Sequence, residues 1–230
     1  MITGGDTTRT KLVKLSIDNF REQTHKNAHL VIMNHGDTPI PSIELMYNVT
    51  EIRITKRKQT LGDLRNMAFE YVPYNGLFCV WDDDDYRSPS FLGLLYTAMK
   101  RNGANAVCFT NRLEYNMNNM FAWETYWAQG FVHVLARKHY KIRYDNVDSM
   151  EDVHLLDRMR DAYNVFTIAN NDPRIYVRLI HKTNTSLYVD KGKETLVGKK
   201  HPNWTETALA PKYEAYIANV YIPKLNVIYV

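Results

Sequence analysis

Four consecutive carboxylates, Asp82, Asp83, Asp84 and Asp85, follow directly on the apolar run GLFCVW at Gly76 to Trp81. Adjacent carboxylates repel one another, and a divalent cation or a positive neighbour relieves that repulsion. Oxygen ligands suit Mg²⁺ or Mn²⁺, ions that also bridge carboxylate and phosphate oxygens. An acidic run can equally be a solvated turn. Here a strand-like run precedes it, and Ser88 with Pro89 follows as an N-cap and first helical residue. Ligands of open parallel sheets bind beyond the carboxyl ends of strands, so this placement favours a metal site. A second acidic pair, Glu151 and Asp152, lies in SMEDVHLL, where Ser149 to Asp152 also reads as a capping box.

These groups need a scaffold, and the apolar pattern supplies one. Leu12, Val13, Ser16, Ile17 and Phe20 share one face of a helix over about Thr10 to Gln23. Leu30 to Met33 reads as a buried strand, and Glu51 to Thr55 as a weaker one. Leu61, Leu64, Ala68 and Tyr71 mark a helix that closes before Pro73. A strand over Gly76 to Trp81, a helix through FLGLLYTAM and a strand over Ala106 to Thr110 follow. Strands alternating with helices predict an α/β layer fold with a mostly parallel sheet. Asn111 to Trp127 is rich in Asn, Met and aromatics and reads as an irregular surface. Its Trp123, Tyr126 and Trp127 are core by default, or a flat aromatic platform for a ligand. A further helix is expected over about Ser149 to Tyr163, and a less regular C-terminal appendage after Ser186.

Composition narrows the class. The chain has 230 residues, 45% apolar and 23% charged, which fits an ordinary globular protein. A net charge of +4 can assist binding of an anionic small molecule and is too small to argue for nucleic acid. Two cysteines, Cys79 and Cys108, make neither a disulfide framework nor a Cys₄ zinc site. No apolar run reaches the length of a membrane span, and Met1 to Thr10 is no signal peptide. A soluble protein of the cytoplasm is the expectation. The glycosylation-type triplets at Asn48, Asn184 and Asn203 are then coincidental.

WDDDDYRSP resembles the acidic signature of family 2 glycosyltransferases with the GT-A fold, with Asp82 and Asp84 as the outer acids of its DxD motif and Asp85 as the following acid. Other segments resemble the family in its order: Arg9, the stretch from Lys14 to Gly36 with Gln23-Thr24, and Arg65-Asn66. Gly130 in GFVHVLARK, Glu151-Asp152 in SMEDVHLL, and Arg178, His181, Asn184 and Ser186 in VRLIHKTNTS complete the resemblance, which spans about Thr3 to Ser186. It implies a GT-A-like three-layer α/β/α domain over 1–186, with a nucleotide-sugar half over about 1–110 and an acceptor half over 111–186. Residues 187–230 would be an appendage packed on the same domain.

The resemblance also implies roles. Asp84, with Asp82 and His181, would hold Mn²⁺ or Mg²⁺ against the diphosphate of a nucleotide sugar. Arg9, Asn34, Arg65, Asp82, Asp83 and Gly130 would line the donor. Asp152 would take the acceptor proton; Glu151 is second choice, because adjacent side chains on a helix do not share a face. A UDP-sugar is the favoured donor, with GDP- or dTDP-sugars as alternatives, and a glycan or glycoprotein hydroxyl is the acceptor. Each residue has a plainer reading: Arg65 on a solvated helix side, His181 as a core histidine, Asp152 as a cap. Two departures stand out: Asn34-His35 replaces the paired acids that follow the second strand, and the first strand is short. Two rivals remain. A nucleotidyltransferase needs a glycine-rich basic loop that GGDTTRTK matches poorly. A non-catalytic glycan-binding domain is supported by Asn34-His35 and opposed by the intact acids.

Overall fold

The computed structural model describes residues 1–4, 7–41, 43–55, 59–116, 121–127, 130, 135–139, 141–170, 172, 174–181 and 204–208. The apolar stripe of the first helix builds α1 (Thr7–Arg21), and Leu12, Val13, Ile17 and Phe20 are all buried. Three parallel strands follow the order β1 (Ile2–Thr3), β2 (Leu30–Asn34), β3 (Val49–Arg53). A second sheet runs β10 (Val165–Ile168), β6 (Ala106–Phe109), β9 (Leu135–Arg137), β4 (Leu77–Cys79). Its β6 and β10 are parallel, and β9 is antiparallel to both neighbours.

Alternation along the second sheet divides the core. Leu77, Val107 and Leu135 join a cluster with Phe20, Ile32, Trp81, Phe91 and Leu95, which packs α1 and α3 (Phe91–Arg101) on one face. Phe78, Ala106 and Ala136 join the opposite cluster with Phe69, Leu155 and Met159, which packs α2 (Leu61–Phe69) and α4 (Glu151–Ala162). A strand shows successive side chains to opposite faces, so the layers are helix, sheet, helix. The expected α/β/α architecture is therefore present. A cavity of about 840 Å³ opens between β2 and β4, bordered by Phe20, Val31, Arg65, Leu77 and Trp81. None of the four aspartates lines it.

A third sheet orders β12 (Trp204–Ala208), β8 (Phe121–Trp127), β7 (Asn111–Asn116), β11 (Tyr176–Ile180) and β5 (Tyr86–Arg87). This corrects the irregular surface expected over Asn111 to Trp127: β7 and β8 are an antiparallel pair. Asn111, Arg112 and Glu114 are buried alongside Leu113 and Tyr115, so burial of polar groups erased the alternation that marks a strand. Of the C-terminal appendage, the strand over 204–208 is described, and it pairs antiparallel with β8. The rest of 187–230 lies outside the described residues, as do Asn184 and Ser186.

Two helix starts also differ from expectation. Ser88 does not cap α3; its N–H donates to Ile175 O and its carbonyl accepts from Gln23 Nε2, and Ser90 stands at the cap with its hydroxyl on Ser88 Oγ at 3.1 Å and no side-chain cap bond. No capping box opens α4 either. Its cap is Met150, in the left-handed region at φ 66°, with no side-chain cap bond. A capping box does exist at α2, between Thr60 and Asp63.

Candidate active site

The aspartate turn lies just beyond the carboxyl end of β4, and buried polar side chains on α1 and just past its end fix its backbone. Ser16 Oγ donates to Asp82 O at 2.9 Å and accepts from Trp81 Nε1 at 3.0 Å. Asn19 Nδ2 donates to Asp85 O at 3.5 Å. Gln23 donates to Ser88 O at 2.6 Å and accepts from Leu92 N at 3.0 Å. Ser16 and Asn19 share one stripe of α1, and Gln23, two residues past its end, continues the grip to the start of α3. Buried polar groups must be paired, and these satisfy turn backbone that the sheet does not.

The four carboxylates face different surroundings. Asp85 is buried; it accepts from Tyr176 Oη at 2.5 Å and from Leu179 N at 3.2 Å, which staples the turn to β11. Asp83 is buried and paired with Arg9 Nη1 at 3.0 Å. Burial and the neighbouring Asp84 push both Asp83 and Asp85 up to about 7. Asp84 lies 3.2 Å from His181 Nε2 and 3.7 Å from Arg9 Nη2. Asp82 lies 3.4 Å from Arg65 Nη2 and 3.9 Å from Arg87 Nη2. Arg87 is fully buried, with its guanidinium 4.6 Å over the Trp81 ring and 5.4 Å from that of Tyr176. The sequence held no sign of this arginine's role, because its partners come from three separate segments.

Among the described residues no three His, Cys, Asp or Glu side chains gather as a metal cage. Of the expected set, Asp84 and His181 stand together, while Asp82 lies beside Arg65 and Arg87. Mg²⁺ is commonly held by one or two carboxylates plus substrate phosphates and waters, and imidazole is an acceptable Mn²⁺ ligand. The pair therefore fits an ion that a diphosphate helps to hold.

Arg65 is not on a solvated side of α2. Its Nε lies 2.9 Å from Glu151 Oε1, an ion pair too bent for a hydrogen bond, and its guanidinium sits 5.6 Å from the Tyr144 ring. Burial works against the Arg65 charge, but Asp82, Tyr144 and Glu151 outweigh it and raise its pKa. Burial, with Asp152 adding, raises Glu151 against the pull of Arg65. Asp152 is half-buried, and its Oδ1 accepts from Val153 N at 2.8 Å. Glu151 is thus committed inward, and Asp152 is the carboxylate of the pair on the more open side.

Behind His181, β11 carries Arg178, whose Nη1 lies 3.4 Å from Glu114 Oε1 on β7. Arg112 Nη2 approaches the same oxygen at 2.6 Å. Burial would raise the Glu114 carboxyl, yet the two guanidinium groups outweigh it and hold it below the usual range. Arg112 and Glu114 stand two apart, on one face of a strand; recognising β7 would have exposed the pair.

Asn34 is engaged within the protein. Its amide donates to Thr38 O at 2.9 Å and Glu51 Oε1 at 2.5 Å, while its carbonyl accepts from Gly36 N at 2.8 Å. Both amide protons are spent bracing the loop after β2. The neighbouring His35 ring lies against Gly4, where a Cβ would come 2.3 Å from Cε1. Partial burial and the Arg9 charge lower the His35 pKa. Gly130 has φ 87°, and a Cβ there would meet Cys108 Sγ at 2.5 Å. Close approach to β6 explains the glycine without any ligand.

The three-layer α/β/α core carries its cluster of acids just past the end of β4. The family model for glycosyl transferase family 2 matches residues 9–158, and the chain belongs to that family. A comparison with curated proteins finds no match. Among solved structures, TarS 1–349 of S. aureus is similar at 12% identity, with a TM-score of 0.60 over 77% of this chain and 58% of that one. Its complex with UDP-GlcNAc aligns at 12% identity and TM-score 0.60, covering 80% and 58%. Its complex with UDP aligns at 12% and 0.59, covering 78% and 60%. The likeness is one of fold, and the chain spans about 58–60% of the length of those TarS chains. Among the described residues no helix is long and apolar enough to cross a membrane.

Proposed function

We propose that the protein moves a sugar from a UDP-sugar to a hydroxyl of a glycan or glycoprotein, with Mn²⁺ or Mg²⁺ bound at Asp84 and His181. The observation that carries this reading is the Asp84–His181 pair, 3.2 Å apart beyond the strand ends of a family 2 fold. The TarS complexes with UDP and UDP-GlcNAc support a UDP-linked donor. When bound, the ion would act as a Lewis acid on the leaving diphosphate.

In this reading the chain's own residues orient the reactants. Arg9, beside Asp83 and Asp84, supplies positive charge next to the diphosphate, where a guanidinium suits phosphate oxygens. Asp152 accepts the acceptor proton as the hydroxyl oxygen bonds to the anomeric carbon. The bond from that carbon to the diphosphate oxygen breaks, and the diphosphate leaves with the electron pair. This assignment of Asp152 holds for a transfer that inverts the anomeric centre. Two free thiols, Cys108 buried and Cys79 half-buried, suit a reducing compartment, and the cytoplasm is the setting we favour.

The test is release of UDP from a panel of UDP-sugars with Mn²⁺, with and without glycan acceptors. Acceptor-stimulated release is expected. Mn²⁺-dependent UDP binding with no release from any combination would favour the non-catalytic glycan-binding reading instead.

A further inference from the structure

α2 stands between the aspartate turn and the start of α4 and is tied to both. On the turn side, Arg65 Nη2 lies 3.4 Å from Asp82 Oδ1; on the α4 side, Arg65 Nε lies 2.9 Å from Glu151 Oε1. One buried guanidinium thus spans the two places where the reaction needs precise spacing. Its side chain is 12% exposed and that of Glu151 3%, so solvent screens the pair little.

The rest of α2 is stitched to the segment that leads into α4. Asn66 Nδ2 donates to Tyr144 O at 2.9 Å, and Tyr144 N donates back to Asn66 Oδ1 at 2.9 Å. Gly62 N donates to Val147 O at 3.0 Å, and Leu61 N to Asp148 Oδ1 at 3.1 Å. A Cβ at Gly62 would stand 1.7 Å from Asp145 O, so helix and segment meet backbone to backbone. The segment ends at Met150, whose left-handed backbone opens α4 without a cap bond. A non-glycine residue at such φ persists only where its surroundings hold it. Glu151, the next residue, is held by Arg65.

We infer that Arg65 is a positioning residue: through Glu151 it sets the first turn of α4, and so the Asp152 carboxylate, at a fixed distance from the donor site at Asp82 and Asp84. This rests on the proposed sugar transfer. Arg65 acts through its two carboxylate partners; neither a base nor a phosphate contact is required of it.

The experiment uses Arg65→Lys, Glu151→Gln and the double variant, each against the wild type. Three readouts are taken: calorimetric affinity for UDP with Mn²⁺, UDP release from UDP-sugar, and amide exchange at His154 and Leu155. For each single variant, UDP affinity is expected to stay within about threefold. Release should fall roughly a hundredfold, the scale of a misplaced reacting group. Exchange at the α4 start should rise about tenfold, reporting local opening. The double variant should be no worse than the singles, since both break one interaction. A tenfold loss of UDP affinity in Arg65→Lys with normal affinity in Glu151→Gln would make Arg65 a donor ligand and overturn the inference. Unchanged exchange in both single variants would overturn it too, whether or not the wild type turns over. A wild type that neither binds UDP with Mn²⁺ nor releases it would instead sink the proposed function, and the exchange readout would still decide the role of Arg65. Glu151→Gln preserves side-chain shape, so an unstable Arg65→Lys does not remove the test.

Discussion

Glu151 and Asp152 are adjacent in sequence, yet the first turn of α4 sends one inward to Arg65 and leaves the other half-buried. In the proposed transfer, that separation leaves the chemistry to Asp152 and a structural role to Glu151. Asp152→Asn keeps the size and the acceptor used by Val153 N–H, so the fold should be intact. An amide cannot take the acceptor proton, so turnover should fall by roughly 10²–10⁴ with UDP affinity unchanged. Turnover measured beside affinity on the same variant checks this, and near-normal turnover would remove Asp152 as the base. At this scale the sequence disclosed what is contiguous. The four aspartates and the Glu-Asp pair announce themselves, whereas the Tyr176 ring beside Arg87 and the Arg178 that joins Arg112 and Glu114 come from far along the chain. The bond of the Asn34 amide to Glu51 was out of reach for the same reason.

Among the elements, helices with a clean apolar stripe were legible, and strands with buried polar residues were not. α1 is read correctly from Leu12, Val13, Ile17 and Phe20, while the grip of Ser16, Asn19 and, just past its end, Gln23 on the turn depends on backbone partners 65–66 residues away. β7 escaped because Arg112 and Glu114 are buried with it. The segment before β9 makes a demand that can be checked. Gly130 combines φ 87° with a contact that a Cβ would violate at Cys108 Sγ, 2.5 Å away. Gly103 has φ 57° and nothing within 4 Å of a Cβ. Gly103→Ala should therefore cost only the backbone strain, about 1–2 kcal/mol. Gly130→Ala should cost about 2–5 kcal/mol, since overpacking adds to that strain. Denaturant unfolding of the two variants compares them, and equal losses would contradict the close approach of Gly130 to β6.

At the scale of the described molecule, the second sheet carries helices on both faces, and the four aspartates collect just past the end of its strand β4. Alternating strand and helix signals sufficed to predict that layering, since parallel strands joined through helices must be covered on both sides. The antiparallel insertion of β9 between β6 and β4 was beyond reach, because nothing in Leu135 to Arg137 states which strand it will pair with. The same architecture sets the central claim: an ion and a diphosphate bind together at Asp84 and His181. Calorimetric titration of UDP, with and without Mn²⁺, on the wild type and on Asp84→Ala tests it most directly. The account predicts UDP binding that requires Mn²⁺ in the wild type and loses that requirement, with most of the affinity, in Asp84→Ala. UDP binding equally tight without the ion, or metal-dependent binding unchanged in Asp84→Ala, would contradict it.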